Sequence, residues 1–382
     1  MPSEELYTYK EDMTFFNPSM TVGLRQHVPT EQREIKMERR DIYSHLIRCA
    51  EDSGAKLVYD CIVHAPIMAG SRVVGISTDL GDFYADLIID ACGIDSPIRK
   101  NLPPEIPIEK TADRKDRITI YRAFFDRTDM REVRDKFKVI LFADGICGIS
   151  WIATEENYTD LLIGRFADFD MEEVARFSDI LRRNHPQLGK KIVRGGQFAQ
   201  IPVRQPLSVM VWDGYAAIGD SAFMTVPLIG SGIANSLRAA RFLADTIISD
   251  VYGRYDCETL WQYEVRYFRE LGRGLAPLAA AKRLLLAMSA QDIDYFFESG
   301  TLNEDNITMT ADFHSLFDLI RPDPADLIKK GRNILKNKAA LKKLLAGVPK
   351  IAGAMAAGAA IPVHWNERSV RRWADRYSAC FR

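Results

Sequence analysis

The 382-residue sequence has a formal net charge of −1, so it lacks the one-signed field that marks a nucleic-acid partner, and none is expected. Its six cysteines, Cys49, Cys61, Cys92, Cys147, Cys257 and Cys380, form no CxxC pair and no Cys/His cluster at zinc spacing. No metal site is expected, and the thiols read as reduced in a cytoplasmic protein. The N-terminus MPSEELYTYK has no basic-then-apolar secretory run, and no stretch reaches the roughly 18 apolar residues of a spanning helix. Internal repeats and low-complexity tracts are missing too. What remains, 47% hydrophobic and 27% charged, is the composition of a globular chain long enough for two domains.

The patterning divides the chain into four stretches. In 1–112 a helix is expected from Arg40 to Asp52, with Ile42, Leu46, Ile47 and Ala50 at helical spacing and Gly54 as its stop. The runs KLVYDCIVHAPI, SRVVGIST and DFYADLIIDACG then read as strands, the last buried on both faces. Residues 113–204 read as an antiparallel sheet, with RITIYRAFF, FKVILF, GICGISWIAT and TDLLIGRF as strands and one helix at MEEVARFSDILRR. Residues 205–254 return to α/β, with a buried strand in VWDGYAAIGDSAF and a helix from about Gly232 to Val251. From 255 to 382 the pattern is helical.

Chemistry concentrates in GYAAIGDSAFMTVPLIGSGIANSLRAARFLAD, Gly214 to Asp245. An apolar strand delivers Gly219 and Asp220 to its carboxyl end, where ligands gather in open parallel sheets, and Asp220 suits a sugar-like hydroxyl. Pro227, Gly230, Ser231 and Gly232 make a tight loop whose backbone can approach a flat ring, and the helix opening at Ile233 aims its N-terminal amides at it. A second string, ADLIIDACGIDSPIRKNL, has Gly93 for a turn, Ser96 and Arg99 to hold that turn or meet a phosphate, and Asp95 within reach of either. Cys92 reads as a buried small side chain or as a redox thiol. A third string, MERRDIYSHLIRCAEDSGA, opens a helix with Arg39, either a cofactor contact or half of a solvated pair with Arg40 beside Glu38.

Together the three strings resemble the FAD-dependent oxidoreductases of the geranylgeranyl-reductase-like family, which share the fold of the aromatic hydroxylases. The resemblance implies a Rossmann-like FAD-binding domain, incomplete here, interleaved with a β-sheet substrate domain and followed by a helical region. It implies FAD as cofactor, with Arg39, Gly219, Asp220, Pro227, Gly230, Ser231, Gly232 and Ile233 against it and NAD(P)H or another electron donor as reductant. Hydroxylase members carry Asp where this chain has Cys92, and the small residue is similar to the reductase branch. GICGISWIATEENYTDLLIGRF resembles the strand pair that lines the substrate cavity of these reductases, which places Trp151 on the cavity or, equally, in plain core. Relatives continue that string with Phe-Pro-Lys, and here it is Ala153-Thr154-Glu155.

The family also opens with a strand, GxGxxG and a helix, and this sequence contains no such unit ahead of the match, which begins near Phe15 and runs to about Gly272. Either Met1 is internal to a longer reading frame, the favoured expectation, or the product is truncated. The implied reaction is hydride transfer between flavin and an apolar unsaturated substrate, isoprenoid or lipid-like. Flavin-dependent monooxygenation or halogenation of an aromatic substrate, and a non-catalytic remnant, are the alternatives. No proton donor is singled out: Cys147, Tyr121 and Tyr158 qualify by type alone. The Lys-rich segment 328–350 reads as an amphipathic contact with an anionic membrane surface or as ordinary helix packing. The oligomeric state has no signature.

Overall fold

Alternating apolar residues between Arg117 and Arg165 set the largest element of the computed structural model, which describes residues 4–10, 12–308 and 333–382. Strands Phe137–Leu141, Gly148–Thr154, Tyr158–Arg165, Arg117–Arg127 and Leu188–Pro202 pair antiparallel in that spatial order. Two short strands from the first stretch, Thr14–Phe16 and Gly23–Arg25, extend this to a seven-stranded sheet, the first of them parallel to Phe137–Leu141. Because side chains alternate, Tyr121, Ala123, Phe125, Leu161 and Ile163 all face one way. The helix Met171–Asn184 covers that face with Val174, Phe177 and Leu181. Ile118, Ile120, Ile149 and Leu162 face a cavity on the other side.

The α/β part is built on a short parallel pair, Ile88–Asp90 with Tyr215–Ala217, and the latter folds back through Asp213 and Gly214 on Val211–Trp212. The expected single strand in VWDGYAAIGDSAF is therefore a hairpin, because Gly214 at φ +71 supplies a turn that a side chain resists. A meander of Val63–Ala69, Arg72–Thr78 and Gly81–Tyr84 lies beside it, and the helix Ile233–Ser249 follows the parallel pair. Among the described residues the helices Cys257–Tyr267, Arg273–Leu286, Ala290–Glu298, Glu304–Thr308, Lys338–Ala359 and Glu367–Ala379 follow, with a π-helical turn at Phe268–Gly272. Trp261, wholly buried, meets Trp365 and Trp373 edge-on, and Phe268 and Tyr377 extend this aromatic core.

Three expectations change. The run KLVYDCIVHAPI is strand only from Val63, and Leu57, Val58 and Tyr59 are exposed. The run DFYADLIIDACG is two short strands rather than one, and Ile89 is 47% exposed instead of buried on both faces. Helix Arg39–Asp52 forms as its periodicity predicts, with Gly54 at φ +90, yet buries none of its residues. Ile88–Asp90 is the edge of its sheet among the described residues, so its outer backbone has no strand partner there.

Of the Lys-rich segment, 328–332 lie outside the described residues. The remainder leads into Lys338–Ala359, which packs on Arg273–Leu286 and buries Ala340, Ala354 and Gly358. A Cβ on Gly358 would stand 3.2 Å from the Arg273 Cα, so the close crossing depends on glycine there.

Candidate functional site

The strand Tyr215–Ala217 ends in a turn of 3₁₀ helix, Gly219–Ala222, that presents Asp220 half-buried at the carboxyl end of the parallel pair. Gly219 takes φ +64 to make the turn. Thr225 Oγ1 donates to Asp220 Oδ1 at 2.9 Å, fixing the carboxylate against the loop that follows. In that loop Val226 N donates to Ser231 O at 2.8 Å and Gly230 N to Val226 O at 2.9 Å, a closed turn in which Gly230 has φ +68. Pro227 is buried beneath it, whereas Ser231 and Ile233 are exposed on top. Gly232 is the N-cap of the helix Ile233–Ser249 and offers no side-chain cap, so the helix amides face outward. A Cβ on Gly232 would lie 3.1 Å from Thr225 Oγ1 and 3.5 Å from Asp220 Oδ1, filling the cradle. Gly219, Asp220, Gly230, Ser231, Gly232 and Ile233 thus bring bare backbone, a carboxylate and a helix N-terminus together over the buried Pro227. Such a surface fits one side of a flavin and its ribityl chain.

Arg39 stands apart on the exposed helix Arg39–Asp52. Glu38, expected beside Arg39 and Arg40, is instead bound by Arg194 at 2.8 Å, and that guanidinium holds its carboxyl below the usual carboxylate range. In the second string Asp90 is wholly buried and gathers the turn, accepting from Ser96 Oγ at 2.6 Å, Tyr215 Oη at 2.7 Å and Cys92 N at 3.0 Å. Arg99 is equally buried, donates to Ile94 O, Ser221 O and Lys110 O, and lies 4.5 Å from the Phe223 ring centre. Ser96 and Arg99 therefore hold the turn. Asp95 is bound by Arg117 and by Lys100, and the Arg117 bond brings its carboxyl down to about 2. Cys92 is exposed rather than buried, in the turn two residues past the strand Ile88–Asp90.

Pro227, Leu228, Ile229 and Gly230 also form one wall of a cavity of about 100 Å³. The opposite wall is the sheet face with Ile118, Ile120, Ile149, Trp151, Leu162 and Ile201, and Leu285 and Leu286 close it from the C-terminal helices. Trp151 is on this wall, half-buried, its Nε1 buried without a hydrogen-bond partner and the Arg122 guanidinium 5.6 Å from its ring. Of the three groups that qualify by type as proton donors, Cys147 lines the cavity. Burial pushes its thiol up to about 11, against the pull of Lys282. Tyr121 faces the covering helix on the other side of the sheet, and Tyr158 stacks edge-on with Phe124 beside Arg194.

Lys282 is the residue that sequence reading passes over. It sits 2% exposed in the cavity wall, Nζ 3.1 Å from Lys115 O and 3.3 Å from Asp116 Oδ1, and burial draws its ammonium down to about 8 although Asp116 opposes the shift. Its signal in the sequence is one Lys inside the run LAAAKRLLLAM, which reads as a solvated position on a helix.

No family model matches the chain. In sequence it is similar to digeranylgeranylglycerophospholipid reductase of Sulfolobus acidocaldarius, 26% identical over 230 residues, 59% of this chain and 50% of that protein. The enzyme of the same name from Haloferax volcanii is 27% identical over 270 residues, 64% of this chain and 61% of its own. The chain thus spans about half to three fifths of the length of these curated relatives. In structure it shares the fold of a geranylgeranyl bacteriochlorophyll reductase-like protein from Thermoplasma acidophilum, at a TM-score of 0.71 and 18% identity, covering 86% of this chain and 84% of that one.

Proposed function

We propose, from the kinship of this chain to the geranylgeranyl-reductase-like flavoproteins, that it serves an FAD-dependent reductase or dehydrogenase acting on an apolar unsaturated substrate of isoprenoid or lipid type. The observation that carries this reading is the shared wall: the Pro227–Gly230 loop lines the same cavity as Trp151 and the apolar sheet face. FAD, when bound, supplies hydride chemistry, and the protein supplies position and electrostatics. Asp220 accepts a hydroxyl of the bound group, and the bare backbone of Gly230, Ser231 and Gly232 lets a flat ring approach. The uncapped amides at Ile233 favour negative charge at the ring's near end. Arg39, which the family pattern would put against the cofactor, stands apart from this surface on the exposed helix Arg39–Asp52. Ile118, Ile120, Ile149 and Trp151 exclude water from the substrate, while Cys147 stays a protonated, weakly donating thiol. NAD(P)H is the reductant to try first.

The test is flavin retention. The purified chain is mixed with excess FAD, desalted and examined for visible flavin absorbance, beside Asp220→Asn and Gly232→Val. Retention that each substitution weakens by about tenfold or more supports the assignment. Folded protein that holds no flavin, both as this chain and as a version extended upstream to any in-frame GxGxxG, overturns it. Oxygen-dependent consumption of NADPH by the loaded protein would instead favour monooxygenation, since flavin-dependent halogenases share this fold.

A peripheral membrane contact through 328–350 belongs to the same reading. Leu335, Leu345 and Val348 are exposed among Lys336, Lys338, Lys342 and Lys350, a mixture that suits an anionic lipid surface. Co-sedimentation with phosphatidylserine vesicles that disappears at high salt is the expected result.

A further inference from the structure

Hydride given to a carbon–carbon double bond leaves negative charge on the second carbon unless a proton arrives with it. The cavity beside the Pro227–Gly230 loop is walled chiefly by apolar side chains that keep water out, so that proton has to come from the wall. Among the described residues three lining side chains carry an N–H or S–H: Cys147, Trp151 and Lys282. The Trp151 indole donates hydrogen bonds and does not ionise. Burial pushes the Cys147 thiol up to about 11 and draws the Lys282 ammonium down to about 8, which makes Lys282 the stronger acid of the pair.

The ion pair behind the wall holds Lys282 in place and still lets it give up a proton. Its Nζ donates to Lys115 O at 3.1 Å and to Asp116 Oδ1 at 3.3 Å, and its remaining N–H is left for the cavity side, where the Phe166 ring centre is 5.5 Å away. Asp116 does not depend on Lys282 alone, because Arg283 lies at 3.1 Å and Arg204, which also binds Glu109, at 3.9 Å. With Lys282 neutral the buried carboxylate therefore keeps a cation beside it, and the costly state of a lone buried charge is avoided.

Resting on the reading of this cavity as the site of a flavin-dependent reduction, we propose that Lys282 is the proton donor of that reaction. As one carbon of the substrate double bond receives hydride from reduced flavin, the Lys282 Nζ–H gives its proton to the other. The π bond breaks, two C–H bonds form, the flavin is left oxidised and the lysine is left a neutral amine, which regains its proton from water once the product has gone. Asp116 is a positioning residue that fixes Nζ in the wall.

Two measurements test this, and the first needs no flavin. The full chain is treated with p-nitrophenyl hexanoate, an apolar ester that only a neutral amine attacks, and the acylated lysines are located by peptide mapping. Acylation of Lys282, which faces Asp116, Arg283, Arg204 and Cys147, should rise about tenfold between about pH 7 and about pH 9, with its midpoint below that of the surface lysines. A Lys282 that stays unacylated, or that titrates with the surface lysines, overturns the donor. The second uses whichever form holds FAD, the chain or its upstream extension, reduced with dithionite and given geranylgeraniol, with the product read by mass spectrometry. Lys282→Arg keeps the charge and holds its proton throughout, so it should lower kcat about a hundredfold or more, as Lys282→Met does, while flavin retention stays unchanged. In the unmodified protein kcat should fall as pH rises through about 8, where the donor is lost. Activity kept by Lys282→Arg means that charge alone suffices, and it overturns the donor while leaving the reductase reading intact. Failure of either form to hold flavin sinks the reductase reading and the donor with it.

Discussion

Two buried titratable residues set opposite limbs of the stability of this protein. His185 is 4% exposed, with Nδ1 3.3 Å from the Lys138 ammonium, and burial, helped by that charge, brings its imidazole down to about 4. Because the folded value lies below the unfolded one, stability is lost as pH falls from about 6.5 towards 4, by on the order of 3 kcal/mol in full. His185→Gln should flatten the acid limb of a plot of Tm against pH. Glu264 is wholly buried, accepts from Met210 N at 2.8 Å, and is raised well above the carboxylate range by burial against the pull of its backbone donors. Its folded value lies above the unfolded one, so stability falls as pH rises past about 4.5. Glu264→Gln should raise Tm at pH 8 and change it little at pH 4; an equal change at both would refute the ionisation argument. Neither residue touches the cavity, so these effects are separable from binding.

At the scale of elements, the crossing of Lys338–Ala359 over Arg273–Leu286 is the joint that holds Lys282 in place. Gly358 meets the Arg273 Cα and Gly347 meets Leu284, so the contact is made by small residues. Gly358→Leu should cost about 1–3 kcal/mol through overpacking, read as a lower Tm, and Gly358→Ala, whose Cβ would stand 3.2 Å from the Arg273 Cα, should lower Tm by less. The same scale shows what the sequence makes legible. The strand, turn and helix around Gly219–Ile233 can be read because their residues are neighbours in the chain, and each glycine marks a local backbone demand. Strands 117–165 can be read because their alternation matches the pleat. Lys282 cannot, because its partner Asp116 is 166 positions away and nothing in LAAAKRLLLAM reports that pairing. Cys92 and Ile89 mislead for a related reason: apolar strand composition records what a surface is made to meet, and says nothing about whether the neighbour is there.

For the molecule as a whole, the aromatic C-terminal core is closed, whereas Ile88–Asp90 in the α/β part has a neighbouring strand on one side only among the described residues. Tyr43, Leu46 and Ile47 are exposed on a helix that buries nothing, and Ile89 is exposed on an edge that is unpaired among the described residues. An edge of this kind templates pairing with other chains. The weight-average mass in sedimentation should therefore rise with protein concentration, and Ile89→Lys should suppress the rise with little change in Tm. A single species across the concentration range would contradict this. Where Ile88–Asp90 stays uncovered inside a cell, chaperones and proteases can reach it as they reach any bare strand. We predict that the half-life of this chain in a pulse-chase experiment lengthens with Ile89→Lys, and an unchanged half-life would mean that Ile88–Asp90 is already covered.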